Sequence, residues 1–247
     1  MNTKELERDN VKIFETPESL AKGFAEIFAD KISELLKEKS ELNIALSGGN
    51  TPVEFYKLLA SDYKDKIDWN RLNFYWVDER CVEPGSPESN FGNAYNTLFR
   101  NINISPARLH RIKGEADPVK EAQRYSEIVK YNVPAFGSLP SFDIILLGLG
   151  DDGHTASIFP DQISLFTSEK LYDTAIHPKT GNKRISMTGN LINNAKFIYV
   201  LVSGIEKKNV INVIMNGGET ADKYPANYVK PVFGKLFWVV DKSAVDF

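Results

Sequence analysis

Residues 142–147 read Phe-Asp-Ile-Ile-Leu-Leu, a nearly continuous apolar run that stops at Gly148-Leu149-Gly150-Asp151-Asp152-Gly153-His154. A strand that is apolar on both faces must be covered on both faces, as a central parallel strand is between helical layers. Residues 42–46 form a second such run, which ends in Ser47-Gly48-Gly49-Asn50-Thr51-Pro52; after it Phe55, Leu58 and Leu59 fall at helical spacing. Two buried strands thus each run into a glycine turn, and at least one of them continues as a helix.

The alternation extends along the chain. Thr16-Pro17 marks a helix start, followed by Leu20, Phe24, Ile27, Phe28, Ile32, Leu35 and Leu36 as one apolar stripe. Residues 72–77 read as a strand, 90–100 as a helix, 117–133 as a helix capped by Asp117, 197–202 as a strand, 205–215 as a helix and 236–240 as a strand. The expected architecture is a single-domain, doubly wound α/β fold over residues 1–247, with a mostly parallel, Rossmann-like sheet and helices on both faces. Ligands of such sheets bind beyond the carboxyl ends of the strands, where the polar loops of this chain fall.

Composition narrows the partners. The 247 residues carry a formal net charge of -3, which gives no global field to gather nucleic acid or an anionic membrane, so the expected ligand is small and any phosphate is held by a local cluster. The longest apolar runs are strand-sized, short of the roughly 20 residues of a membrane span. Cys81 is the single cysteine and the amino terminus has no apolar signal core, so a cytoplasmic location is expected. No surplus apolar stripe remains after the core is assigned, which favours a monomer.

Each polar loop has a functional and a structural reading. The segment Ser47, Gly48, Gly49, Asn50, Thr51 offers backbone N–H groups, two hydroxyls and a helix start, the parts of a phosphate cradle; alternatively it is a tight turn that needs glycine for its dihedrals. It lacks the Gly-Lys-Ser/Thr of an ATPase loop and the GxGxxG of a dinucleotide site. Asp78-Glu79-Arg80 follows a strand and can bind sugar hydroxyls or developing negative charge, or form a solvated salt-bridge cluster. His154, beside Asp151 and Asp152 on a glycine turn, suits general base work near neutral pH. Arg184 opens a short strand-like stretch. Lys207 sits in the first turn of a helix, where its charge opposes the dipole unless an anion offsets it; the alternative is an ordinary solvated pair with Lys208. With three histidines, no HExxH and no cysteine pair, no metal site is expected.

Taken together, ALSGGNTP from Ala45, WVDER from Trp76, Ser89-Asn90, GLGDDGHTASIFP from Gly148, RISMT from Arg184, LVSG with Lys207, and GKLFWVVD from Gly234 resemble the 6-phosphogluconolactonase family. That family shares its fold with glucosamine-6-phosphate deaminases and ribose-5-phosphate isomerases, and the match spans nearly the whole chain. The resemblance implies hydrolysis of a phosphorylated sugar lactone without a cofactor. Ser47 to Thr51, Arg184 and Lys207 would hold the phosphate, and His154 would activate water. Asp78 and Arg80 would line the lactone end, with Arg80 stabilising the oxyanion, and Asp152 would support His154 or the sugar hydroxyls. A deaminase is the nearest alternative, but such enzymes carry an acid where this chain has Phe159 and usually a tyrosine where it has Arg80. A non-catalytic sugar-phosphate sensor is the other alternative, and it would need a DNA-reading module for which the chain shows no basic helix-turn-helix segment.

Overall fold

The computed structural model of the protein describes residues 10–49 and 51–245. In chain order the strands are β1 (Val11–Phe14), β2 (Leu42–Leu46), β3 (Leu72–Trp76), β4 (Asp78–Arg80), β5 (Ala135–Phe136), β6 (Leu139–Pro140), β7 (Ile144–Gly148), β8 (Tyr172–Ile176), β9 (Lys183–Met187), β10 (Phe197–Val202) and β11 (Lys235–Asp241). The helices are α1 (Pro17–Leu35), α2 (Thr51–Asp62), α3 (Asn90–Thr97), α4 (Pro118–Asn132), α5 (Gly189–Asn193) and α6 (Lys208–Asn216).

Six strands form a parallel sheet in the order β1-β11-β10-β7-β2-β3. Every residue of β2, β3 and β10 is buried, which explains why these segments are apolar apart from Asn43 and Asn73. Helix α1 begins where Thr16 accepts from the Ser19 N–H at 3.2 Å and Ser19 Oγ accepts from the Thr16 N–H at 2.9 Å, a reciprocal cap with Pro17 just inside it. Its stripe delivers Phe24 and Phe28 onto Phe55 of α2 and, through Phe24, onto Tyr199 of β10, with ring centroids 4.8 to 5.3 Å apart.

Strand order reverses between β2 and β7. From β2 the chain moves outward to β3, whereas from β7 it moves the other way to β10 and β11. The two strands pair only through Ile44 with Ile144 and Ala45 with Ile145, and beyond those pairs their carboxyl ends lead into the two glycine loops. This is the switch point at which open α/β sheets leave a crevice for a ligand.

A second sheet completes the wall of that crevice. Strands β4, β9 and β8 form an antiparallel ribbon that the sequence pattern does not reveal beyond the strand-like stretch at Arg184. Two expected helices are also shorter than their apolar spacing suggests. The helix expected over 90–100 ends at Thr97 and is followed by a 3-10 turn over Phe99–Asn101. The one expected over 205–215 begins as a 3-10 turn over Ile205–Lys207, so Lys207 precedes the first α-helical turn instead of lying within it. Gly204, at φ 103°, sets that entry angle.

Candidate active site

A cleft of about 630 Å³ opens at the switch point and is lined by residues from both glycine loops, the antiparallel ribbon and the turn before α6. Ser47, Gly48, Gly49, Thr51, Asp78, Arg80, Asp152, His154, Arg184 and Lys207 all face it. Asn50, the remaining member of the expected phosphate loop, lies outside the described residues.

His154 is held by its own loop. Its Nδ1 lies 2.6 Å from Asp152 Oδ1, and its backbone N–H donates to the same oxygen at 3.1 Å. Gly150 donates its N–H to the His154 carbonyl at 2.8 Å, and a Cβ on Gly150 would collide with His154 Nδ1, so glycine is required there by a close approach of the ring. Burial pushes the Asp152 carboxyl up, but the hydrogen bond and positive charge of His154, with backbone N–H donors, outweigh it and hold the group at about 2. Two residues on, Ala156 has φ 51°, a left-handed conformation that alanine rarely adopts, and Ser157 continues the wall.

Asp78 is locked from two sides. Its Oδ2 accepts from Ser157 Oγ at 2.6 Å and its Oδ1 from Asn90 Nδ2 at 3.1 Å, both in buried surroundings. Ser157 in turn takes the Ser186 hydroxyl as acceptor for its backbone N–H at 3.1 Å. The β4 strand, the His154 loop and β9 are therefore stitched together by one polar network. Glu79 points away from the cleft and caps α3, accepting from the N–H groups of Asn90 and Phe91 at 2.7 and 2.8 Å. Burial pushes its carboxyl above the usual range against these donors.

Gly48 and Gly49 serve different ends. A Cβ on Gly48 would collide with Asn90 Oδ1, so that glycine admits the Asn90 side chain, whereas Gly49 has φ 98° and open space beside it. Both glycines line the cleft, and Gly49 has the open space beside its backbone.

The ribbon carries the strongest anion signal. Arg80 and Arg184 are register partners across the β4–β9 pair, so both side chains leave the same face. Arg80 donates to the Glu88 carbonyl at 2.5 Å. Arg184 is only 8% exposed, and its Nη1 has no hydrogen-bond partner among the described residues. Burial first, then the Arg80 charge, push the Arg184 guanidinium below its ordinary value, with Asp78 opposing. A buried guanidinium beside a second one is costly unless an anion joins them.

Lys207 lines the cleft and has a partner that its spacing did not announce. Its ammonium is paired with Asp151, so the anion that offsets it at the helix entrance is this side chain of the protein itself. Asp151 was expected only as a neighbour of His154. Asn90, Ser157 and His177 are further cleft residues that spacing did not single out as functional. The contacts of Asn90 and Ser157 with Asp78 span 12 and 79 positions of sequence and leave no local pattern, whereas His177 is held within its own turn.

Residues 15–238 match the sequence family described as "Glucosamine-6-phosphate isomerases/6-phosphogluconolactonase". A 6-phosphogluconolactonase of Haemophilus influenzae is 42% identical over 221 residues, which is 87% of this chain and 93% of that protein. One of Treponema pallidum is 42% identical over 199 residues, 81% of each. Among solved structures, a 6-phosphogluconolactonase from Trypanosoma brucei superposes with a TM-score of 0.86 at 26% identity, covering 95% of this chain and 97% of that one. The structure of a monomeric glucosamine-6-phosphate deaminase shares the fold with a TM-score of 0.79 at 24% identity, covering 95% and 98% of the two chains.

Proposed function

The chain belongs to the glucosamine-6-phosphate isomerase/6-phosphogluconolactonase family, and we propose that His154 is the base for its reaction, the hydrolysis of 6-phospho-D-glucono-1,5-lactone to 6-phospho-D-gluconate in the oxidative pentose phosphate pathway. The observation that carries the assignment of His154 is its 2.6 Å contact with Asp152. Because the Asp152 carboxyl is held at about 2, it is an acceptor at any working pH, which places the imidazole proton on Nδ1 and leaves the Nε2 lone pair for a proton.

From this tautomer the chemistry is a balanced ester hydrolysis. His154 Nε2 takes a proton from water as the water oxygen bonds to the lactone carbonyl carbon. The resulting oxyanion is stabilised by the Arg80 guanidinium, a fixed positive group in the cleft wall. Collapse breaks the bond from the carbonyl carbon to the ring oxygen, and the imidazolium returns its proton to that oxygen as a hydroxyl. Asp152 stabilises the imidazolium between the two transfers. Asp78, with both carboxylate oxygens engaged by Ser157 and Asn90, fixes the wall on which the lactone lies.

Arg184, Lys207, Ser47, Gly48, Gly49, Asn50 and Thr51 are assigned to the phosphate, with Arg184 Nη1 supported by its lack of any other partner among the described residues. Lys207 would exchange Asp151 for the phosphate or share it. A buried Phe159, its ring centroid 4.8 Å from that of His154, occupies the place where a deaminase needs a proton-transfer group. We also propose one domain over residues 1–247, a cytoplasmic setting, supported by the lone Cys81, and a small sugar-phosphate lactone as partner in place of nucleic acid, supported by the net charge of -3. Among the described residues no helix is long and apolar enough to cross a membrane.

The test is lactone hydrolysis by the purified chain, with spontaneous hydrolysis subtracted and EDTA present. A rate well above the spontaneous one, unaltered by EDTA, is expected. A rate abolished by EDTA and restored by zinc would overturn the cofactor-free mechanism, and no enzymatic rate at all would overturn the functional reading.

A further inference from the structure

His177 stands at the first position of the turn joining β8 to β9, closed by its backbone N–H to the Asn182 carbonyl at 2.9 Å and by the Gly181 N–H to its own carbonyl at 2.8 Å. Its ring is pinned independently of any ligand: Nδ1 accepts from the backbone N–H groups of Lys179 and Thr180, at 3.2 and 3.3 Å. An acceptor at Nδ1 is unprotonated, so the neutral ring carries its proton on Nε2 and presents a donor.

The ribbon places that ring on the cleft side, beside Arg184. Ala175 is the register partner of Arg184, and His177 lies two residues beyond Ala175, on the same face, as the diagonal neighbour of Arg184. Phe159 packs edge-on against the His177 ring, centroids 5.1 Å apart, and also against the His154 ring at 4.8 Å. The two imidazoles therefore flank one phenyl ring, and both line the same cleft. Burial, then the Arg184 and His154 charges, push the His177 ring below its ordinary value, which keeps it neutral beside the guanidinium.

We infer that His177 is a specificity-determining residue which donates its Nε2–H to the substrate phosphate alongside Arg184. This rests on the phosphate assignment made above. A neutral donor adds a hydrogen bond to the phosphate without adding a third repelling cation to the Arg80–Arg184 pair. A residue that only closed the turn would need the Nδ1 acceptor and nothing more.

Two substitutions separate these roles. In His177→Asn the side-chain oxygen can replace Nδ1 as acceptor for the turn while the outer donor is lost; in His177→Gln the amide nitrogen reaches the position of Nε2. The measurements are KM and kcat for the phosphorylated lactone and for gluconolactone, and the Ki of inorganic phosphate as a competitor. For His177→Asn, KM for the phosphorylated lactone and the phosphate Ki should both rise about tenfold, with kcat and the gluconolactone kinetics within roughly twofold of wild type. His177→Gln should recover most of the loss. An unaltered phosphate Ki in His177→Asn, or an equal loss on both lactones, would overturn the role of His177. If the wild-type chain itself shows no inhibition by phosphate and no preference for the phosphorylated lactone, it is the underlying phosphate assignment that fails.

Discussion

Arg80 and Arg184 face each other directly across an antiparallel strand pair, with the second guanidinium buried and one of its nitrogens without a partner among the described residues. Like charges placed opposite one another weaken a sheet, so the arrangement is a stability cost that an anionic ligand relieves. Removing Arg184 should therefore separate binding from folding. Arg184→Met is expected to lose about 2 kcal/mol of transition-state stabilisation, roughly thirtyfold in kcat/KM, on the phosphorylated lactone and far less on gluconolactone. Its Tm without ligand should equal or exceed that of wild type. Equal losses on both substrates, measured by steady-state kinetics, would reject the phosphate role.

The Asp152–His154 contact makes a prediction about pH. Since Asp152 is held at about 2, it remains an ionised acceptor across the acidic range, and kcat for a reaction whose base must be neutral should fall toward acid pH. His154→Asn should lower kcat about a hundredfold or more and abolish the acid limb, with the fold retained. Gly150→Ala places a methyl group against His154 Nδ1 and should mimic the kinetic loss without removing the ring. A His154→Asn enzyme that keeps the same acid limb would transfer the base role to Asp78 or Asp152.

Asp241, at the carboxyl end of β11, ties the turn before α6 to the sheet. Its Oδ2 accepts from Ser203 Oγ at 2.5 Å and the Gly204 N–H at 3.1 Å, and its Oδ1 accepts from the N–H groups of Ser243 and Ala244 at 2.9 and 3.1 Å. Burial raises its carboxyl, but the Ser203 and Ser243 hydroxyls and the backbone donors outweigh it, so the folded value lies below the usual one. A depressed folded pKa stabilises the protein fully above the unfolded aspartate value of about 3.9, and the contribution is lost as pH falls through the folded value. Thermal melts from about pH 6 down to about pH 3 should show Asp241→Asn less stable at the upper end, with the gap to wild type narrowing as pH falls. A gap independent of pH would show that the carboxylate charge contributes nothing.

What the sequence could determine by itself is local. Buried strands announce themselves as apolar runs because burial on both faces constrains consecutive residues, and glycine loops follow them because the chain must turn sharply there. The runs at 42–46 and 142–147 therefore pointed to a doubly wound sheet and, with the loops at Ser47 and Gly148, to a site at its carboxyl edge. His154 beside Asp152 was legible for the same reason, since their contact spans two residues. The tertiary structure alone decided the rest of the wall. Arg80 and Arg184 are 104 positions apart and become neighbours through a strand register that no short window encodes. The Ser157 contact with Asp78, the Asn90 side chain against Gly48, and the Asp151 partner of Lys207 are likewise products of the fold. Spacing reports the period of one element, whereas a site of this kind is assembled from the ends of several, and which ends meet is fixed by packing of the whole core.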